Sequence, residues 1–250
     1  MPASSKTGVT GKRQALVTGA NKGIGLAIAR GLAQAGLSVW MGARDRNRGE
    51  NAVRALRDEG LDVKFLELDV ADDESVRRAA ETVGSVVGAL HVLVNNAGII
   101  LDLQTPPSEL SIEDVKATYD VNLYGPIRVT QAFTPLLKAA GDARIVMIGS
   151  GLGSLTLITD PTSIFSTVNL LGYSSSKVAL NAVTVSFAKE FEPFGVKVNA
   201  VEPGQVRTDL NGHTGLLTPE EGAATIIKMA LIDQDGPTGG FFGSHGRQPW

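Results

Sequence analysis

At 250 residues, with 43% apolar and 20% charged side chains, the chain is long enough to bury the core of one α/β domain and too apolar to stay disordered. A net charge of −3, without a basic run able to neutralise several phosphates, argues against nucleic acid as a partner. The absence of cysteine excludes disulfides, thiolate nucleophiles and thiolate-bound zinc, and His91, His213 and His245 have no partners at metal-ligand spacing.

Residues 1–12 are polar and read as a flexible N-terminus without the apolar core of a signal peptide. No later run reaches the length of a bilayer span, so the expectation is a cytoplasmic protein with no membrane partner. Short β-branched and apolar runs at 14–18, 38–43, 63–68, 91–94, 144–148 and 196–201 read as buried strands. Helical spacing fills the intervals at 23–35, 46–59, 73–87, 112–139 and 174–191, and a last helix at 219–231 precedes a final strand near 240–243. This alternation predicts a single α/β domain built on a doubly wound parallel sheet, with ligands at the carboxyl ends of its strands.

The first strand runs through Thr18-Gly19-Ala20-Asn21-Lys22-Gly23-Ile24-Gly25 straight into a helix. Gly19 permits a tight turn, Gly23 lets backbone approach a pyrophosphate, and Gly25 allows close packing, while the helix N–H groups face the anion.

The spacing Gly19-x-x-x-Gly23-x-Gly25 resembles that of the short-chain dehydrogenase/reductase family, whose fold is Rossmann-type. Other motifs agree in order across residues 13–245. Asp69 and Val70 match the family's adenine-contacting position, Asn95-Asn96-Ala97-Gly98 its cofactor-supporting motif, and Pro203-Gly204 its nicotinamide-side turn. Asn21-Lys22-Gly23-Ile24-Gly25, Ala43-Arg44-Asp45 and Pro203-Gly204-Gln205-Val206-Arg207-Thr208-Asp209 are most similar to the carbonyl reductases of the family. The resemblance implies that these segments bind NADP(H), with Val206 and Thr208 among the contacts.

Enzymes that prefer NAD usually carry a carboxylate at the end of the second strand. Ala43 stands there instead, followed by Arg44, whose planar fork suits a 2′-phosphate, with Lys22 as a second cation. Asp45 reads as the N-cap of the next helix rather than as a ribose ligand.

Tyr173 and Lys177, four residues apart on one helix, share a face. In the family this pair is catalytic: hydride addition to a carbonyl leaves an alkoxide that needs a proton, and an ammonium beside a phenol lowers its pKa. Lys177 also binds the nicotinamide ribose in that scheme. Ser150 matches the family serine that orients the carbonyl and stabilises the oxyanion, with Ser154 a poorer match. Asn122 matches the residue that links a water chain to the lysine. Pro126, four residues later, has no N–H to give the Asn122 carbonyl, which predicts a kink.

The separation from Ser150 to Tyr173 exceeds the family's usual one, so residues 151–172 carry an insertion. Its Leu155, Leu157, Ile158, Ile164, Phe165, Leu170 and Leu171 predict a small-molecule carbonyl or alcohol substrate with an apolar body. By resemblance, helices 112–139 and 174–191 would join symmetry mates in a homodimer or homotetramer. A non-catalytic NADP(H)-binding redox sensor is the rival reading, and the presence of Asn122, Ser150, Tyr173 and Lys177 together favours the enzyme.

Overall fold

The sheet strands are hydrophobic nearly end to end because helices cover both faces, which leaves no polar side to alternate with. In a computed structural model that describes residues 11–250, β1 (Gln14–Thr18), β2 (Ser38–Ala43), β3 (Val63–Glu67), β4 (Val92–Asn95), β5 (Arg144–Ile148), β6 (Lys197–Val201), β7 (Phe241–Gly243) and β8 (Gly246–Arg247) form one sheet. Their order is β3-β2-β1-β4-β5-β6-β7-β8. All neighbours run parallel except β7 and β8, an antiparallel pair that the sequence pattern does not predict. The predicted flexible N-terminus lies outside the described residues apart from its last two, of which Lys12 pairs with Asp62 at 3.2 Å.

Alternation along each strand sends side chains to two cores. Ala15 and Val17 of β1 pack with Ile28 and Leu32 of α1 (Gly23–Gln34), with α2 (Arg46–Asp58), and with Ile226 of α8 (Pro219–Ala230). Leu16 faces the other way, toward α3 (Asp73–Gly84), Phe133 of α5 (Gly125–Ala140), and Leu180 and Phe191 of α7 (Leu171–Phe191). Among the described residues no helix is long and apolar enough to cross a membrane.

Three expectations are refined. Asp45 does cap α2: its side chain accepts from the Arg48 N–H at 2.9 Å. The single helix expected over 112–139 is three segments: α4 (Ile112–Tyr119), a π turn (Asp120–Tyr124) and α5. In the π turn the Gly125 N–H reaches back five residues to the Asp120 carbonyl, so the kink expected near Pro126 takes the form of an inserted residue. The 151–172 insertion is folded as well, into a 3₁₀ turn (Gly151–Gly153) and the short α6 (Leu155–Thr159), and α7 starts at Leu171, earlier than its apolar spacing suggests.

The strand order reverses between β1 and β4, both of which end at the same edge. The loops leaving them diverge there, and that divergence opens a crevice for a ligand.

Candidate active site

A cleft of about 980 Å³ lies along this edge. At one end is the glycine loop. Gly19 and Gly23 have φ of 65° and 55°, a left-handed conformation that side-chain-bearing residues rarely adopt. Gly25 is needed for space: a Cβ there would lie 2.3 Å from the Gly19 carbonyl oxygen and 2.5 Å from the Asn96 amide nitrogen. That amide donates to the Thr18 and Gly19 carbonyls at 2.8 and 3.3 Å. The Thr18 hydroxyl accepts from the N–H groups of Asn96 and Ala97 at 2.9 and 3.0 Å. The glycine loop and the Asn95–Gly98 segment are therefore one hydrogen-bonded unit, with bare backbone facing the cleft. Such a cradle fits the pyrophosphate of a dinucleotide.

Asn96, Ala97 and Gly98 line the cleft. Asn95 lies beneath them, buried, its amide donating to the Thr130 hydroxyl at 3.1 Å, so it braces the motif from the α5 side. Asp69 and Val70 line the far wall, and Val70 packs on Gly125 at the start of α5. Ala43 is buried at the end of β2, and the exposed Arg44 beside it has no ion pair among the described residues. Asp45 is occupied by its cap and by Arg48 at 2.7 Å. Lys22 is bridged to Asp209 in the loop after β6, and Asp209 also accepts from the His213 ring at 2.9 Å. Thr208 of the same loop packs its methyl against Gly23.

Toward the other end stand the four residues expected to carry chemistry. Asn122 is fully buried: its side-chain oxygen accepts from the Ile99 N–H at 2.8 Å, and its amide donates to the Ile99 carbonyl at 2.9 Å and the Ser176 hydroxyl at 3.1 Å. It thus ties the segment after β4 to α7. Ser150, two residues past β5, caps the 3₁₀ turn and accepts from the Leu152 N–H at 3.2 Å. Ser154 caps α6, accepting from Leu157 at 3.1 Å, so it has a structural task instead. Tyr173 and Lys177 are 8% and 4% exposed. The Lys177 ammonium donates to the Ile148 carbonyl at 2.8 Å and lies 5.5 Å from the centre of the Tyr173 ring.

Burial dominates the electrostatics of this pair. Desolvation pushes Lys177 down to about 8, near ambient pH. It also pushes Tyr173 up to about 12; the nearby Ser150 side chain works against that rise, and the negative charge of Asp102 adds to it. The drop of the Tyr173 pKa expected from the neighbouring ammonium does not emerge: Lys177 lies over the ring at 5.5 Å from its centre, and burial pushes the phenol up.

The family model for short chain dehydrogenases matches residues 13–216. The chain belongs to the short chain dehydrogenase family. It is 37% identical to (+)-neomenthol dehydrogenase of Arabidopsis thaliana over 92% of this chain and 95% of that protein. It is 31% identical to carbonyl reductase [NADPH] 1 of Rattus norvegicus over 94% and 98%. Among solved structures, NADPH-bound carbonyl reductase from chicken fatty liver superposes with a TM-score of 0.84 at 29% identity, covering 96% of this chain and 99% of that one.

The remaining wall of this short chain dehydrogenase's cleft is apolar. Ile99, Ile100 and Leu101 face Leu152, Phe165 and Leu170 of the insertion. Of the seven apolar insertion residues expected there, Phe165 and Leu170 line the cleft, whereas Leu155, Ile164 and Leu171 are exposed. Two acidic residues near the site fall in no sequence motif: Asp102 beneath α7, and the half-buried Glu202, pushed up by burial beside Gly151. Asp209, on Lys22, falls within the segment resembling carbonyl reductases.

Proposed function

We propose that this short chain dehydrogenase is an NADP(H)-dependent reductase of ketones or aldehydes, reversible toward the alcohol, with Tyr173 as proton donor. One juxtaposition carries the reading: a buried phenol and ammonium stand beside Ser150 in a cleft that also offers a glycine cradle and the guanidinium of Arg44, which has no ion pair among the described residues. Gly19, Asn21, Gly23, Ile24 and Gly25 would hold the pyrophosphate end, and Asp69 and Val70 the adenine. Arg44, with Lys22 as a second cation, would take the 2′-phosphate, and Pro203, Gly204, Val206 and Thr208 would flank the nicotinamide. Bound there, NADPH supplies the hydride that reduces the carbonyl carbon and is itself oxidised to NADP⁺.

Ser150 orients the carbonyl oxygen and donates to it as negative charge develops. Tyr173 gives that oxygen its phenolic proton, yielding the neutral alcohol. Lys177, with a pKa near 8, loses and regains a proton at little cost, which suits it to resupply Tyr173. Asn122 holds the floor of the site, and its carbonyl, which Pro126 cannot serve as a donor, is the point from which a proton path to solvent would start. The apolar wall fits a substrate with a hydrophobic body. A cytoplasmic setting, and a homodimer or homotetramer built on α4, α5 and α7, belong to the same reading.

Purified protein with NADPH should consume absorbance on addition of hydrophobic ketones or aldehydes. No turnover across a broad carbonyl panel, with cofactor binding intact, would favour the sensor reading. Arg44→Asp should lower kcat/KM with NADPH by about ten- to a hundredfold, the worth of a charge-assisted hydrogen bond to phosphate, and raise the relative efficiency of NADH. An unchanged NADPH-to-NADH ratio would place the phosphate contact elsewhere.

A further inference from the structure

α7 carries Tyr173 and Lys177, yet it begins without a cap of its own. Its N-cap residue, Leu170, makes no side-chain hydrogen bond, although the first N–H groups of a helix need acceptors. Asp102, in the loop after β4, supplies them from outside the helix. Its Oδ2 accepts from the Gly172 N–H at 2.7 Å and from the Tyr173 N–H at 3.3 Å.

Asp102 is 2% exposed, and its other oxygen, Oδ1, is buried with no hydrogen-bond partner among the described residues. For capping alone this is a costly choice, because asparagine, of the same shape, would accept the same bonds without burying a charge. A buried anion with a bare oxygen calls for a use of the charge itself. Besides its burial, Ser150 from just after β5 and Asp102 from the loop after β4 act on the Tyr173 phenol, and Lys177 lies over its ring. Asp102 is the one negative charge among them, and a negative charge opposes formation of phenolate.

We propose that Asp102 is a positioning residue with an electrostatic duty: it anchors the first turn of α7 so that Tyr173 stands beside Ser150, and its charge reinforces the burial that holds the phenolic proton in place. The consequence is a proton donor that stays loaded to higher pH, with alcohol oxidation, which needs phenolate, confined to alkaline conditions. The inference rests on Tyr173 being the proton donor of the proposed reaction.

Asp102→Asn tests it, since the amide oxygen can still accept from Gly172 while the charge is gone. Two readouts apply: the pH–rate profile of alcohol oxidation, and ultraviolet titration of tyrosinate, with Tyr173→Phe identifying its step among the three tyrosines. Both midpoints should move down by about half a pH unit or more on loss of the nearby negative charge. A purely structural cap would leave both at the parent's values, which would overturn the proposal even if Asp102→Ala lowered the melting temperature. Should Asp102→Asn not fold, Asp102→Ala, which also removes the charge, carries the same tyrosinate titration. If the parent reduces no carbonyl at all, the proposed function fails, and the tyrosinate titration alone still decides whether Asp102 loads Tyr173.

Discussion

Tyr173→Phe should lower kcat for carbonyl reduction by about a thousandfold, within the range that general acid catalysis is worth, while changing the Kd for NADPH by no more than about twofold. The substitution removes one hydroxyl and nothing from the packing of a ring that is 8% exposed, so the fold should survive it. The residual rate would come from Ser150 and from positioning in the cleft. Stopped-flow turnover together with a fluorescence titration of NADPH separates the two effects. Substantial reductase activity in the variant would remove Tyr173 from the mechanism and move the acid to another group.

Gly25→Ala is the second large effect. Its added methyl would meet the Gly19 carbonyl oxygen and the Asn96 amide, both main parts of the unit that joins β1 to β4. The first neighbour is backbone and the second is a side-chain amide held by its hydrogen bonds to the Thr18 and Gly19 carbonyls, so relief requires the loop to move or that unit to break. Overpacking of this kind costs about 1–3 kcal/mol, and the displaced loop should also lose most of its affinity for NADPH. Gly88→Ala is the matched control: nothing lies within 4 Å of a Cβ there, and its stability should change by no more than about 0.5 kcal/mol. Chemical denaturation of the two variants measures the contrast, and equal midpoints would mean that the loop is looser than its contacts imply.

The parallel sheet was legible because each of its strands is a short apolar run followed by a turn, a signal that survives without any partner in view. β8 escaped because its two residues, Gly246 and Arg247, are exposed and pair only through backbone. The π turn escaped for a different reason. Residue patterns at three and four positions apart do not distinguish it from an α-helix, and only Pro126 hinted at a break. At the site, Tyr173, Lys177, Ser150 and the glycines were readable because they fall in ordered motifs. Asp102 was not, since its partners Gly172 and Tyr173 lie some seventy positions away and nothing local to it announces a cap. The Lys22 bridge to Asp209, across 187 positions, is likewise a product of folding. It also shows that the side chain assigned to phosphate already has an anionic partner.

β2 is buried at all six of its positions, and the next residue, Arg44, is exposed. The border between core and surface therefore falls between Ala43 and Arg44, which places the proposed choice of coenzyme on the outer side of it. Exchanges at such a site usually alter stability by no more than about 0.5 kcal/mol. A descendant of this protein could trade one coenzyme for the other by single substitutions, with no unstable ancestor along the way and no compensating change inside.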